Sequence, residues 1–93
     1  MNEYFHIASQ QYSSNRFEEA VESFKKSLET CEYWNAYQGL AYSLKKLERY
    51  QEAINAFQKS LSININADSY RGMAWSFVNI GAYNDALDSN YNI

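Results

Sequence analysis

Apolar side chains and alanines recur along this chain at the spacing of a helix face. Tyr4, Ile7, Ala8 and Gln11 occupy positions i, i+3, i+4 and i+7, and so do Tyr37, Leu40, Ala41 and Leu44, then Tyr70, Met73, Ala74 and Phe77. Phe17, Ala20, Val21, Phe24 and Leu28 form a second kind of stripe, matched by Tyr50, Ala53, Ile54, Phe57 and Leu61. This period places each set on one side of an amphipathic helix. The pattern predicts helices over roughly 2–14, 17–30, 35–47, 50–63, 68–80 and 83–92. Short turns fall at Asn15, Glu48 and Gly81. Asn and Gly suit the left-handed residue that closes a helix, whereas Glu48 does not. Longer connections fall near 30–34 and 64–67, where Asn66 is placed to cap the helix that follows.

The stripes are copies of one another. Glu19-Ala20-Val21-Glu22-Ser23-Phe24-Lys25-Lys26-Ser27-Leu28 returns 33 residues later as Glu52-Ala53-Ile54-Asn55-Ala56-Phe57-Gln58-Lys59-Ser60-Leu61, and Asp85-Ala86-Leu87 begins a third copy. Tyr4, Tyr37 and Tyr70 keep the same interval, as do Ala8, Ala41 and Ala74, and Phe17, Tyr50 and Tyr83. Agreement of several columns at one offset defines a unit of two helices, and such units bury their apolar faces against one another. The expected fold is all-α: tandem helix-turn-helix repeats stacked as an α-solenoid. One domain spans 1–93, with repeats near 1–33, 34–66 and 67–93, the last incomplete. Ala8/Ala20, Ala41/Ala53 and Ala74/Ala86 are expected where the two helices of a unit cross, since small side chains let the axes approach to ~8–10 Å. Phe24 and Phe57 are then expected to fill the gap between one unit and the next.

These residues resemble the tetratricopeptide repeat family. Its pattern is Trp-x-x-Leu-Gly-x-x-Tyr in the first helix, Ala-x-x-x-Phe in the second, then Pro. Tyr37-x-x-Leu40-Ala41-x-x-Leu44 with Ala53-x-x-x-Phe57 follows it, as does Tyr4-x-x-Ile7-Ala8 with Ala20-x-x-x-Phe24. Tyr70-x-x-Met73-Ala74-x-x-Phe77 with Ala86 follows it too. There are three departures. The closing Pro is missing, the period is 33 rather than the family's usual ~34, and Asn90 stands where the third unit's aromatic belongs. A period of 33 also suits ankyrin repeats, but their Thr-Pro-Leu-His motif and Gly-rich turns are missing here.

Composition narrows the remaining choices. The chain has no Pro and three Gly, so long helices form easily and tight β-turns do not. Nine Tyr, five Phe and two Trp supply the apolar surface a folded chain needs. The net charge of -3 comes without the clustered basic surplus of a nucleic-acid binder. No apolar run approaches the ~18 residues of a membrane span. Cys31 is the single cysteine, so no internal disulfide forms, and a reducing cytoplasmic setting is the expectation. Met1-Asn2-Glu3 leads into amphipathic sequence without the character of a secretion signal. No Gly-rich phosphate loop, nucleophile elbow or Ser/His/Asp set is present, so no catalytic residue and no cofactor is expected. His6 has Glu3 alone at ligand spacing, so no metal site is expected either.

Stacked helix pairs present an extended concave groove. By resemblance to the family, first-helix side chains that do not pack inside line it. Here these are Asn2, Phe5, Ser9 and Tyr12, then Asn35, Gln38, Tyr42, Lys45 and Lys46, then Asp68, Arg71, Trp75, Val78 and Asn79. The candidate partner-binding residues are Phe5, Ser9, Tyr12, Gln38, Tyr42, Lys45, Arg71 and Trp75. Phe5, Tyr12, Tyr42 and Trp75 have no duty in the repeat's own packing on this reading, and aromatic and Arg side chains anchor interfaces. Tyr4, Tyr37 and Tyr70 are read as core. Lys45, Lys46 and Arg71 make the face basic, so the expected partner is an extended or helical peptide carrying apolar and acidic groups. Some members of the family grip a chaperone's C-terminal carboxylate with a Lys/Asn/Arg clamp. Phe5, Ser9, Gly39, Asp68 and Gly72 stand at those positions, so that ligand is not expected.

Repeat arrays end on polar capping helices. The last predicted helix is short, which leaves Met73, Phe77, Ala86 and Leu87 poorly covered. Either the chain is a fragment of a longer repeat protein, or it forms a homo-oligomer through that end by exchanging a helical hairpin. The leading functional expectation is a protein–protein interaction module, a scaffold or adaptor. The alternative is a structural, self-assembling unit. Neither reading involves a membrane or a nucleic acid.

Overall fold

α1 (Glu3–Ser13) and α2 (Phe17–Thr30) fold back on each other, as do α3 (Trp34–Lys46) and α4 (Tyr50–Ile63), and α5 (Ala67–Tyr91) follows. The computed structural model describes residues 2–91, with side chains described through Gly81. Among the described residues there is no strand. Each helix packs on its neighbours in the chain, and α3 also touches α1 and α5. Contacts confined to adjacent units are those of a solenoid.

The two hairpins close by one device. The Arg16 amide donates to the Gln11 carbonyl at 2.8 Å, and the Arg49 amide donates to the Leu44 carbonyl at 2.9 Å. This six-to-one bond needs a left-handed residue just before the donor. Asn15 and Glu48 both supply it, each at φ 63°. Glu48 takes that conformation despite a cost of about 1–2 kcal/mol for a residue with a Cβ. Packing of α3 on α4 therefore overrides the local preference that argued against Glu48. Arg16 then pairs with Glu19 at 2.8 Å, and Arg49 with Glu52, both at the surface. Asn66 caps α5 as expected, accepting from the Ser69 amide at 2.8 Å.

Gly81 does not behave as expected. It is not at positive φ, and α5 runs through it as one helix of 25 residues, so the predicted segments 68–80 and 83–92 are not a hairpin. In the sequence, Ala82 replaces the paired Arg16 and Arg49, and Asn90 replaces Phe24 and Phe57. The aromatic whose burial favours folding back is thus missing, and extending a helix is easier than nucleating a new one. Ala74 is exposed in consequence, while Ala8 and Ala41 are fully buried in the same column. Phe77 is 51% exposed, as the uncovered end implied. Met73 departs from that expectation and packs against the core. Because Ala74 and Ala86 lie on this one continuous helix, the expected Ala74/Ala86 crossing does not form. The exposure of Ala86 and Leu87 lies outside the described side chains.

The core is where the repeat put it. Ala8, Ala20, Ala41 and Ala53 are each 0% exposed, so both helix pairs cross at close range. Phe24 and Phe57 are buried between units. Each ring tip meets a glycine of the next first helix. A Cβ on Gly39 would stand 2.3 Å from Phe24 Cζ, and one on Gly72 would stand 2.3 Å from Phe57 Cζ. Tyr4 and Tyr70, read as core, lie at the rim instead, 43% and 49% exposed. Tyr37 is half-buried and donates to Glu32 at 2.8 Å. A phenol needs a partner for its hydroxyl, and the rim provides one.

Buried serines follow the same register. Ser43 and Ser76 donate back to the carbonyls of Gly39 and Gly72, each at 2.9 Å. Ser60 and Ser69 share a buried hydrogen bond of 3.0 Å across α4 and α5. One unit earlier the pair is Ser27 and Ala36, and the buried Ser27 hydroxyl has no partner. An orphaned buried hydroxyl costs about 1–3 kcal/mol. Ser27→Ala should therefore leave stability unchanged or raise it, while Ser60→Ala should lower it by about 1–3 kcal/mol by orphaning Ser69. Urea denaturation of the two variants checks this, and equal costs would contradict it.

Candidate functional site

Of the eight candidate residues, which α1, α3 and the start of α5 carry, five line one cleft and Lys45 and Trp75 gather beside its Tyr42. Phe5, Ser9, Tyr12, Gln38 and Tyr42 line a cleft of about 360 Å³ between α1 and α3, together with Ser13, Phe24, Asn35 and Gly39. Lys45 and Trp75 meet beyond it, where α3 approaches α5, and Arg71 pairs with Asp68 on α5. Lys45 Nζ sits 4.3 Å from the Trp75 ring centroid and 5.2 Å from that of Tyr42. A cation over an aromatic face is held by the ring quadrupole.

Three of the four aromatics assigned no packing duty do have one. Phe5, Tyr12 and Tyr42 are partly buried against the core. Phe5 meets Phe24 edge-on at 5.7 Å, Tyr12 meets Phe17 at 5.4 Å, and Tyr42 meets Phe57 at 5.1 Å. The Tyr42 hydroxyl donates to the Asp68 carbonyl at 2.8 Å. Each of these rings therefore has one side in the core and presents another to the groove. Trp75 keeps closer to the expectation, 46% exposed and tilted against Tyr50 at 5.7 Å. Phe24 and Gly39 were not among the expected lining residues. Their shared column with Phe57 and Gly72 was the available sign that rings and glycines meet between units.

Charge on this face is less one-sided than the lysines suggested. Arg71 lies 3.4 Å from Asp68. Burial, and then the neighbouring Lys46, hold the Lys45 ammonium below its ordinary pKa. Burial, and then the Asp68 carboxylate, raise the Tyr42 hydroxyl, with Arg71 and Gln38 opposing. Tyr12 is raised by burial alone. The face can hold an apolar side chain in the cleft and a negative group near Lys45 and Lys46. Among the described residues, no group of three or more His, Cys, Asp or Glu is arranged to hold a metal ion.

Helix pairs stacked in register, with an aromatic cleft between their first helices, make this a helical-repeat protein of the α-solenoid class. Two models of the tetratricopeptide repeat match it, one over residues 4–32 and one over 34–67, and between them they take in both hairpins. The chain belongs to the tetratricopeptide repeat family. Repeats of this family generally mediate protein–protein interactions and are generally non-catalytic. No curated protein matches the chain. Among the described residues, no helix is long and apolar enough to cross a membrane.

The tyrosines set a direction for alkaline stability. Tyr12, Tyr33, Tyr37 and Tyr42 all have pKa values raised above 10.0, so folding favours their neutral forms. Their contribution is complete below the unfolded value and is lost as pH rises through and beyond it. Lys45 runs the other way, because its lowered pKa means that losing its proton favours the fold. The tyrosine contribution should fall away as pH passes about 10, with Lys45 opposing it. In urea unfolding at stepped pH, Tyr42→Phe should make that fall shallower. An unchanged slope would show that Tyr42 is not among the groups responsible.

Proposed function

We propose that this chain is a protein–protein interaction module, a scaffold or adaptor, that takes an extended or helical peptide along α1, α3 and the start of α5. The observation that carries the reading is the cleft between α1 and α3, walled by Phe5, Tyr12 and Tyr42, beside the half-exposed Trp75 under Lys45. Aromatic rings held in place by their own packing make good anchors, because little entropy is lost when they meet a partner. Lys45 and Lys46 favour a ligand with an acidic group next to its apolar one. The reading assigns the chain no catalysis, no cofactor and no nucleic-acid or membrane ligand. It places the chain in the cytoplasm, where a lone thiol such as Cys31 stays reduced.

A second copy of the chain is favoured on a different surface. Ala74 and Phe77 are exposed in a register where Ala8, Ala41 and Leu44 are buried. That face suits another apolar helix and would make the chain a self-assembling unit.

Peptides selected from a random library on the wild-type chain should bind a Lys45→Glu/Trp75→Ala variant about tenfold or more weakly. Circular dichroism controls for its fold. Equal binding to both proteins would remove the groove reading. Light scattering on the same samples checks the second surface, where the expected mass exceeds one chain and a monomer at submillimolar concentration would contradict it.

A further inference from the structure

One column of the repeat holds Ser9 in the first unit, Tyr42 in the second and Trp75 in the third. In the second unit that side chain closes the gap to the next. Tyr42 stands edge-on to Phe57 at 5.1 Å, and its hydroxyl donates to the Asp68 carbonyl in the first turn of α5 at 2.8 Å. Moved back by one unit, these three positions become Ser9, Phe24 and Asn35, and all three line the cleft between α1 and α3. Ser9 is too short to cross it, and its hydroxyl turns back to the Phe5 carbonyl at 2.9 Å. Phe5 covers one edge of Phe24. The rest of the space, which a tyrosine fills one unit later, is left as the open cleft of about 360 Å³.

We propose that this slot receives a tyrosine side chain from a bound peptide, seated in the first gap as Tyr42 is seated in the second. The proposal rests on the reading of the α1–α3 face as the binding surface, and it names the residue that anchors the ligand. Phe5, Tyr12 and Phe24 line the slot with the ring surfaces that an aromatic side chain pairs with. At the far end lies the first turn of α3 at Asn35, the counterpart of the turn whose Asp68 carbonyl accepts the Tyr42 hydroxyl. A ring with a donor at its tip suits that geometry. A leucine fills less of the slot and brings no donor. A phosphorylated tyrosine brings acceptors to a carbonyl, so phosphorylation of the ligand releases it.

Heteronuclear NMR titration of the whole chain with three probes tests this. N-acetyl-tyrosinamide should give saturable shifts at the amides of Ser9, Gly39 and Tyr42. N-acetyl-leucinamide should bind several-fold more weakly, and the phosphotyrosine analogue should give no response. Ser9→Tyr, which supplies the ring from α1 itself, should abolish the tyrosinamide response and melt at or above the wild-type temperature. The slot is refuted by the absence of saturable shifts in the wild type, by equal affinity for leucinamide, or by an unchanged response in Ser9→Tyr. A large drop in the melting temperature of that variant also counts against it, because the ring then does not fit. Library peptides that occupy the groove without a tyrosine would overturn the slot and leave the groove intact. Peptides that bind elsewhere would overturn the groove reading and, with it, the slot as a peptide anchor, whatever tyrosinamide does.

Discussion

The distance between successive helix pairs is set where a phenylalanine ring lies against bare backbone. Phe24 over Gly39 and Phe57 over Gly72 are the same contact made twice, and in both cases a single added methyl would fall at 2.3 Å from the ring tip. Interiors are packed too densely to absorb such an intrusion without a shift. The ring therefore fixes how closely α3 approaches the first hairpin and α5 the second. The width of the groove follows from that spacing, and so does the question of which side chains can bridge it. Tyr42 bridges the second gap and Ser9 leaves the first open. The proposed binding site is thus a by-product of the stacking contact plus one small residue.

Where the contact is absent, the repeat changes form. Asn90 occupies the aromatic's column in the third unit, and α5 continues past Gly81 as a single helix. The left-handed turn is evidently not what makes a hairpin here. Glu48 accepts that conformation although its chemistry disfavours it, and Gly81 declines it although its chemistry permits it. The apolar surface that a second helix would bury decides between the two. The exposed side of α5, with Ala74 and Phe77, is the price of that missing ring.

Much of this was readable in the residues. The alanine columns announced the helix crossings because a crossing tolerates one size of side chain, and Ala8, Ala20, Ala41 and Ala53 are all fully buried. Helix ends came within a residue or two in both hairpins, because periodicity and turn position agree there. The roles of Phe5, Tyr12 and Tyr42 were not readable. A helical period tells which side of a helix a ring occupies, but not how far the neighbouring unit reaches across that side. Tyr4 and Tyr70 were misplaced for the same reason. Gly39 and Gly72 could have been found, since each follows its phenylalanine by 15 residues. Only the closeness of the packed helices gives that interval its meaning.

A double-mutant cycle at Phe57 and Gly72 measures the stacking contact itself. Phe57→Leu removes the ring atoms that crowd position 72 and leaves enough apolar volume to keep the fold. With the ring present, Gly72→Ala should destabilise the chain by about 1–3 kcal/mol in chemical denaturation. With leucine at position 57 the same change should reverse sign and stabilise by up to about 1 kcal/mol, the ordinary benefit of alanine over glycine inside a helix. If Gly72→Ala instead carries the same sign and size in both backgrounds, the ring does not set the spacing between units, and the account of the groove built on that spacing is wrong.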